Sequence, residues 1–333
     1  MKPPYPNKVL ITGGHEVGGV ASFAEALRSG FSELGIPAEV IPPSRVFTHW
    51  RDLFDPRVLK ILSTTSLFAA PFARRAICMA HGFPCVAHVG YLRAFAVLAS
   101  FRIAAASPGA QVAAVSDYSA LHLRSIFGTR VDAVIRNPVH PLFLEPPPES
   151  GTQREAITYV GRLVPAKNLH RLLPAILDVL KDFPSLRAWI IGEGPLRWHL
   201  EEAAREYRQV EFLGALPPVQ VRERLRRSRI FVSGSPTEPF GIVYLEALSQ
   251  GCAVVMPSSG GGLEIAPERN GKTIQFFGTE LARGEIGSAL RNALKVEAAP
   301  MALEAYSPRA VAAQYLHADT GFSSNGWRAH AGN

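Results

Sequence analysis

The sequence predicts two doubly wound, Rossmann-like α/β domains facing each other across a cleft. Three observations carry this. The chain has 333 residues, more than one hydrophobic core usually serves. Its second half alternates strand-like apolar runs with helix-like amphipathic runs, the mark of a parallel sheet covered on both faces. Between the halves, residues 144–155 read LEPPPESGTQRE, a Pro-rich polar stretch suited to a linker. The expected units are 1–147, 148–305, and a C-terminal helix and tail at 306–333 able to cross back to the first domain.

Taken in order, KVLIT is a first strand leading into the glycine loop GGHEVGG. Val20, Phe23, Ala24, Leu27, Phe31 and Leu34 then recur at spacings of three and four, an amphipathic helix that ends at Gly35. AEVIP is the next strand. The stretch from Trp50 to Ala106 is apolar, dotted with arginine and weakly periodic, so its elements are not assigned. QVAAVS is a strand, Tyr118 to Ile126 a helix, and VDAVIRNPV a further buried strand. In the second half AITYVG, RAWIIG, VEFLG, IFVSG and CAVVMP are strands. They alternate with helices near 168–183, 196–207, 219–227 and 241–250.

Composition narrows the class. Hydrophobic content of 47% with 19% charged residues is globular rather than disordered. The apolar stretches at 61–73 and 94–106 fall short of the roughly 20 residues a transmembrane helix needs. With no signal-peptide pattern and three cysteines (Cys78, Cys85, Cys252) outside any metal spacing, a cytoplasmic protein without structural zinc is expected. The net charge of +7 suits an anionic ligand, an anionic membrane or nucleic acid. The densest basic run, VRERLRRSR, lacks the interleaved aromatics of a nucleic-acid platform and is read as a solvated helix face.

In open parallel sheets ligands bind beyond the carboxyl ends of the strands. Four loops fall there: GGHEVGG, GRLVPAK, GEGP and SPTEPFG. The first matches neither the dinucleotide nor the Walker fingerprint, leaving a turn that brings amides near Gly18 and Gly19 to a helix start. In the second, Arg162 and Lys167 are either a diphosphate clamp or two surface cations. In the last, Glu238 and Glu246 stand eight positions apart across a Pro-Phe-Gly turn. They either grip two parts of one elongated ligand, with the amides of Phe240, Gly241 and Ile242 opening the helix between them, or are a helix-start glutamate and a surface glutamate.

The ordered set GGVASFAEAL, VAAVSDYS, VIRNPV, YVGRLVPAKNLHRLL, IIGEGP, VEFLGAL and EPFGIVYLEALSQGCAVVMPSSGGGLEI resembles the retaining glycosyltransferases of family 4. Those enzymes have the two-domain GT-B fold and an E-x7-E signature. The resemblance implies transfer of a sugar from a nucleoside-diphosphate donor to an acceptor hydroxyl with retention, the first domain holding the acceptor. It implies that Arg162 and Lys167 bind the diphosphate, Glu238 the sugar, Glu246 the ribose, and Gly18 and Gly19 the diphosphate from the other side. His81, in MAHGFP, corresponds to the histidine that touches the donor sugar. RNPV replaces the family's usual Pro-Asn-Gly-Val, and Gly234-Ser235 its Pro-Ser.

No Asp-x-Asp metal cluster is present in the sequence, so no metal or other cofactor is expected and the cations stabilise the leaving group. Expected partners are the nucleotide-sugar donor and a saccharide or lipid-linked acceptor. Contact with an anionic membrane through Arg74, Arg75, Arg93 and Arg102 is a further expectation, and nucleic acid is not expected. A nucleotide-sugar 2-epimerase and a non-catalytic nucleotide-sugar-binding protein are the alternatives.

Overall fold

The computed structural model describes residues 5–13, 19–82, 90–147, 154–265 and 273–320. Two six-stranded, wholly parallel sheets organise them. The first contains β1 (Lys8–Thr12), β2 (Ala38–Ile41), β3 (Val58–Leu62), β4 (Ala76–Ala80), β5 (Ala110–Ala114) and β6 (Ala133–Val134), in the order β2-β1-β3-β4-β5-β6. Its helices are α1 (Gly19–Glu33), α2 (Trp50–Phe54), α3 (Tyr91–Ala106) and α4 (Asp117–Ser125). Strand alternation divides the burial: Val9, Ile11, Leu59, Ile61, Ile77 and Met79 pack with α1. Leu10, Val58, Leu62, Cys78 and Val112 pack on the opposite face with Phe101 of α3 and Leu123 of α4.

The second sheet contains β7 (Ala156–Val160), β8 (Arg187–Ile191), β9 (Val210–Gly214), β10 (Ser228–Val232), β11 (Ala253–Pro257) and β12 (Ile274–Phe277). Their order is β12-β11-β10-β7-β8-β9, so the winding reverses between β7 and β10. The connecting helices are α5 (Leu169–Asp182), α6 (Arg197–Ala204), α7 (Pro218–Arg226), α8 (Ile242–Ser249) and α9 (Arg283–Ala293).

The last helix, α10 (Pro308–Thr320), packs on α1 of the first domain. Gly30 permits this: a Cβ there would lie 2.0 Å from the Pro308 carbonyl oxygen. At its end Asp319 accepts from Arg75 Nε at 2.8 and 2.9 Å, and Gln111 Nε2 donates to the Ala318 carbonyl at 3.1 Å. Val139 of the first domain donates to the Tyr306 carbonyl at 2.9 Å. One apolar cluster therefore runs from Val9 and Phe31 through Tyr315 and Phe143 to Phe240 and Leu245. Beside it each domain keeps an apolar cluster of its own, the first around Leu10 and Val112 and the second around Ile157 and Leu173.

Three local readings change. VDAVIRNPV forms only the two-residue β6, because Pro138 cannot donate to a ladder and the chain turns toward Tyr306. The unassigned stretch holds two regular strands, β3 and β4, separated by the 3-10 helix Thr64–Phe72 and flanked by α2 and α3, and a further 3-10 helix at Pro43–His49 precedes it. Arg75 does not face solvent, since it is 3% exposed and paired with Asp319.

The basic run is consumed by local partners. Arg222 binds Glu145 at 2.9 Å, Arg226 binds Gln250 at 3.0 Å, Arg227 binds Glu155, and Arg224 lies over the Trp189 ring at 4.7 Å.

Candidate active site

The carboxyl ends of β7 and β10 lie side by side at the point where the winding reverses, and two of the singled-out loops leave from there. After β7 the chain makes the 3-10 turn Pro165–Lys167 and then places Asn168 in the left-handed region, φ 54°. The Asn168 amide donates to the Gly234 carbonyl at 2.9 Å, tying the Arg162–Lys167 loop to the Ser233–Gly241 loop. Lys167 Nζ completes the junction by donating to Glu238 Oε2 at 2.6 Å. The pair is partly shielded, with side chains 28% and 18% exposed, so it is worth more than a surface ion pair. Arg162 is exposed, and its carbonyl accepts from Tyr159 Oη at 3.1 Å.

The GEGP loop after β8 lies against the same turn. A Cβ at Gly192 would meet the Gly161 carbonyl oxygen at 1.9 Å, so glycine is needed for this backbone approach. Gly234, at the departure from the family's Pro-Ser, faces Leu172 closely enough that a Cβ would lie 3.0 Å from it.

Gly241 caps α8 at φ 88°, and the Tyr244 ring packs where its Cβ would stand. Pro239 and buried Phe240 therefore form the entry, and the first amides of α8, including that of Ile242, lack acceptors within the helix. Glu246 follows on the same helix. Its carboxylate has no hydrogen-bond partner among the described residues, and burial pushes it up to about 7.

The first domain closes over this turn. Ser116 Oγ donates to the Pro239 carbonyl at 2.5 Å while capping α4 through the Ser119 amide. Glu264, on the 3-10 turn Gly261–Glu264 after β11, accepts from the Asp117 and Tyr118 amides at 2.9 and 2.7 Å. A Cβ at Gly82 would touch Pro239 at 3.2 Å, which brings neighbouring His81 to the same junction. The His81 ring packs edge-on against Phe23 at 4.3 Å, and its buried Nε2 lacks a partner among the described residues. Burial pushes His81 down to about 4, with nearby Asn137 opposing the shift, so it is neutral at pH 7.

The structure thus brings Arg162, Lys167, Glu238, Phe240, Gly241, Ile242 and Glu246 to one strand-end region and places His81 against its Pro239 turn. Gly19 begins α1 in the first domain. Gly18 lies outside the described residues. Ser116, Asn168 and Glu264 carry roles in this junction that sequence reasoning did not assign. Their signal was composition alone: a polar residue opening or closing each strand-end turn.

Among the described residues, Glu39, His49 and Asp52 form the only acidic and histidine cluster with metal-like spacing. The Lys8 ammonium already lies between two of them, 2.8 Å from Glu39 and 2.9 Å from Asp52.

Two facing parallel-sheet domains of this kind constitute the GT-B fold. The solved structure of Anabaena HepE in complex with UDP and glucose superposes with a TM-score of 0.67, covering 95% of this chain and 98% of that one at 17% identity. Residues 144–299, which contain the whole β7–β12 sheet, match the family model of glycosyl transferases group 1. Over 149 residues the chain is 36% identical to a component of the human phosphatidylinositol N-acetylglucosaminyltransferase, an alignment covering 44% of this chain and 31% of that protein. It is 31% identical over 167 residues to a phosphatidyl-myo-inositol mannosyltransferase of Propionibacterium freudenreichii, covering 50% of this chain and 41% of that protein. The chain thus spans between about a third and two fifths of the length of these relatives.

Proposed function

We propose that the chain is a retaining glycosyltransferase of family 4 type. It moves a sugar from a UDP- or GDP-sugar to a hydroxyl of a saccharide or lipid-linked acceptor, in bacterial surface polysaccharide or lipid-linked glycan synthesis. The observation that carries this is the convergence of Lys167, Glu238 and the opening of α8 at the winding reversal of the second sheet. Glu246 stands one turn further along that helix. In this reading Arg162 and Lys167 bind the diphosphate oxygens, Glu238 the sugar hydroxyls, and Glu246 the ribose diol. A carboxylate with free lone pairs accepts hydrogen bonds from two adjacent hydroxyls, and a helix start favours the phosphate charge between them.

The mechanism follows from these positions. The glycosidic oxygen leaves with the diphosphate, and its developing charge is stabilised by the two cations and the α8 amides. The same diphosphate oxygen takes the acceptor proton as the acceptor oxygen bonds to the anomeric carbon on the face it leaves. Neutral His81 reaches the sugar as a hydrogen-bond partner rather than as a charge. No metal enters this scheme, and the enzyme acts in the cytoplasm, at the inner membrane face when the acceptor is lipid-linked.

The test is incubation with UDP- and GDP-sugars, following nucleoside diphosphate release and the anomeric configuration of the product by NMR, with and without a chelator. Release with retained configuration that survives chelation is the expected result. Binding without release supports a nucleotide-sugar-binding protein, and free sugar altered at carbon 2 supports the epimerase. Inversion, or loss of activity restored by magnesium, overturns the corresponding step.

A further inference from the structure

The first domain carries an unusual surface. α3, Tyr91–Ala106, reads YLRAFAVLASFRIAAA and is apolar nearly all round, a pattern normally confined to buried helices. Phe101 and Ala104 are indeed buried. Yet Tyr91, Leu92 and Phe95 are 83%, 88% and 70% exposed, and Ile103 continues the outward stripe. The 3-10 helix Thr64–Phe72 packs beside α3 and turns Phe68 and Phe72 outward. Phe47, from the 3-10 helix Pro43–His49, lies with its ring 5.6 Å from each of them. Exposed Trp50 and Phe54 of α2 follow directly.

The charge of this region is one-sided. From Pro56 to Ser116 the sequence contains no aspartate or glutamate, while it contains Arg57, Lys60, Arg74, Arg75, Arg93 and Arg102. Lys60 and Arg75 are buried, but Arg74 and Arg102 are exposed, as are Arg45 and Arg51 near the aromatic cluster. An extended apolar face rimmed by cations, whose nearby carboxylates Asp52 and Asp55 are paired with Lys8 and Arg57, is complementary to an anionic bilayer, whose interface takes apolar side chains while its phosphates meet guanidinium groups. No helix of the described residues is long and apolar enough to cross a membrane, so the arrangement suits lying on one.

We infer that the outer stripe of α3, together with Phe47, Phe68 and Phe72, inserts into the interface of an anionic lipid bilayer. The location is apt. These segments follow the carboxyl ends of β2, β3 and β4, the end of the sheet where His81 and Gly82 meet the Pro239 turn. A hydroxyl on a lipid-borne acceptor would enter the cleft from the same side. Only that entry of an acceptor rests on the glycosyltransferase reading, and vesicle binding and nucleoside diphosphate release are separate assays, so either can fail alone.

The experiment measures partition of the full chain onto phosphatidylcholine vesicles with and without phosphatidylglycerol, by co-sedimentation and by Trp50 fluorescence. Expected are binding to anionic vesicles only, a blue shift lost in Trp50→Phe, and at least about a tenfold drop in partition for Leu92→Glu/Phe95→Glu. Both side chains are exposed, so the pair of substitutions should leave folding and nucleotide affinity unchanged. Retention of an unaltered melting temperature confirms that the loss is one of binding. Absence of partition, or partition indifferent to Leu92→Glu/Phe95→Glu, overturns the inference. So does a concentration-dependent dimer without vesicle binding that those substitutions dissolve, since a second copy would then be the occupant.

Discussion

At the residue scale, the contact between Lys167 and Glu238 changes what substitution of either should do. Removing the glutamate frees the ammonium for a diphosphate, so Glu238→Ala should leave nucleoside diphosphate affinity equal or slightly higher while weakening the intact sugar nucleotide. Glu246→Ala should weaken both, by about 1.5–3 kcal/mol, as expected for loss of a charged hydrogen-bond acceptor. Calorimetry with the two ligands separates the cases, and equal loss of free nucleotide in both variants would remove the roles assigned here.

The elevated Glu246 carboxyl adds a pH signature. If Glu246 holds the ribose as proposed, the hydroxyls favour its charged form, so nucleotide affinity should be full above about 7 and fall as pH drops through that value. The nucleotide's own terminal phosphate titrates near 6, so the readout is the difference between wild type and Glu246→Gln. Folding stability carries the opposite sign at Glu246: its contribution is present below the ordinary value of 4.5 and is lost as pH rises through about 7. His81, held down at about 4, contributes stability above its ordinary 6.5 that is lost as pH falls toward 4.

At the element scale, Gly30 sets two effects against each other. Alanine in the middle of α1 would gain about 1 kcal/mol of helix propensity. The same methyl would stand 2.0 Å from the Pro308 carbonyl and push α10 away. Overpacking of this kind costs about 1–3 kcal/mol, so Gly30→Ala should come out neutral to destabilising in urea unfolding despite the propensity gain. Asp319→Asn should cost more, about 3–5 kcal/mol, because it leaves buried Arg75 without its counter-charge. A clear rise in the unfolding midpoint for either variant would contradict this packing.

Elements were legible in the sequence where burial is two-sided: VLIT, ITYV, AWII and AVVM are apolar runs because both faces of each sheet are covered. The stretch around Pro43, Pro71 and the exposed phenylalanines was not, since 3-10 turns have no apolar period to read. The strand-end loops were legible by composition. The pairing of Ser116 with Pro239 and of Glu264 with the α4 amides was not, because those partners are far apart in the chain and periodicity reports only near neighbours.

At the scale of the whole molecule, the two domains meet through polar contacts on several elements, and Glu264 makes two of those beside the Pro239 turn. Glu264→Ala should loosen closure while leaving the nucleotide contacts of the second domain in place. Turnover should therefore fall about tenfold or more with nucleotide affinity little changed, and small-angle scattering should show a larger radius of gyration. Unchanged scattering together with unchanged turnover would show that the Glu264 contacts do not hold the cleft shut.

The return of α10 to α1 also has a temporal side. The first sheet is complete once β6 has been synthesised, yet the helix that covers its α1 face emerges roughly 190 residues later, on the order of ten to forty seconds at ordinary elongation rates. Throughout that interval Phe31 and its neighbours lack the Tyr315 ring that finally sits 6.4 Å away. On the nascent chain the α1 face that α10 covers therefore stays bare, and the first domain is finished only after the second has been made.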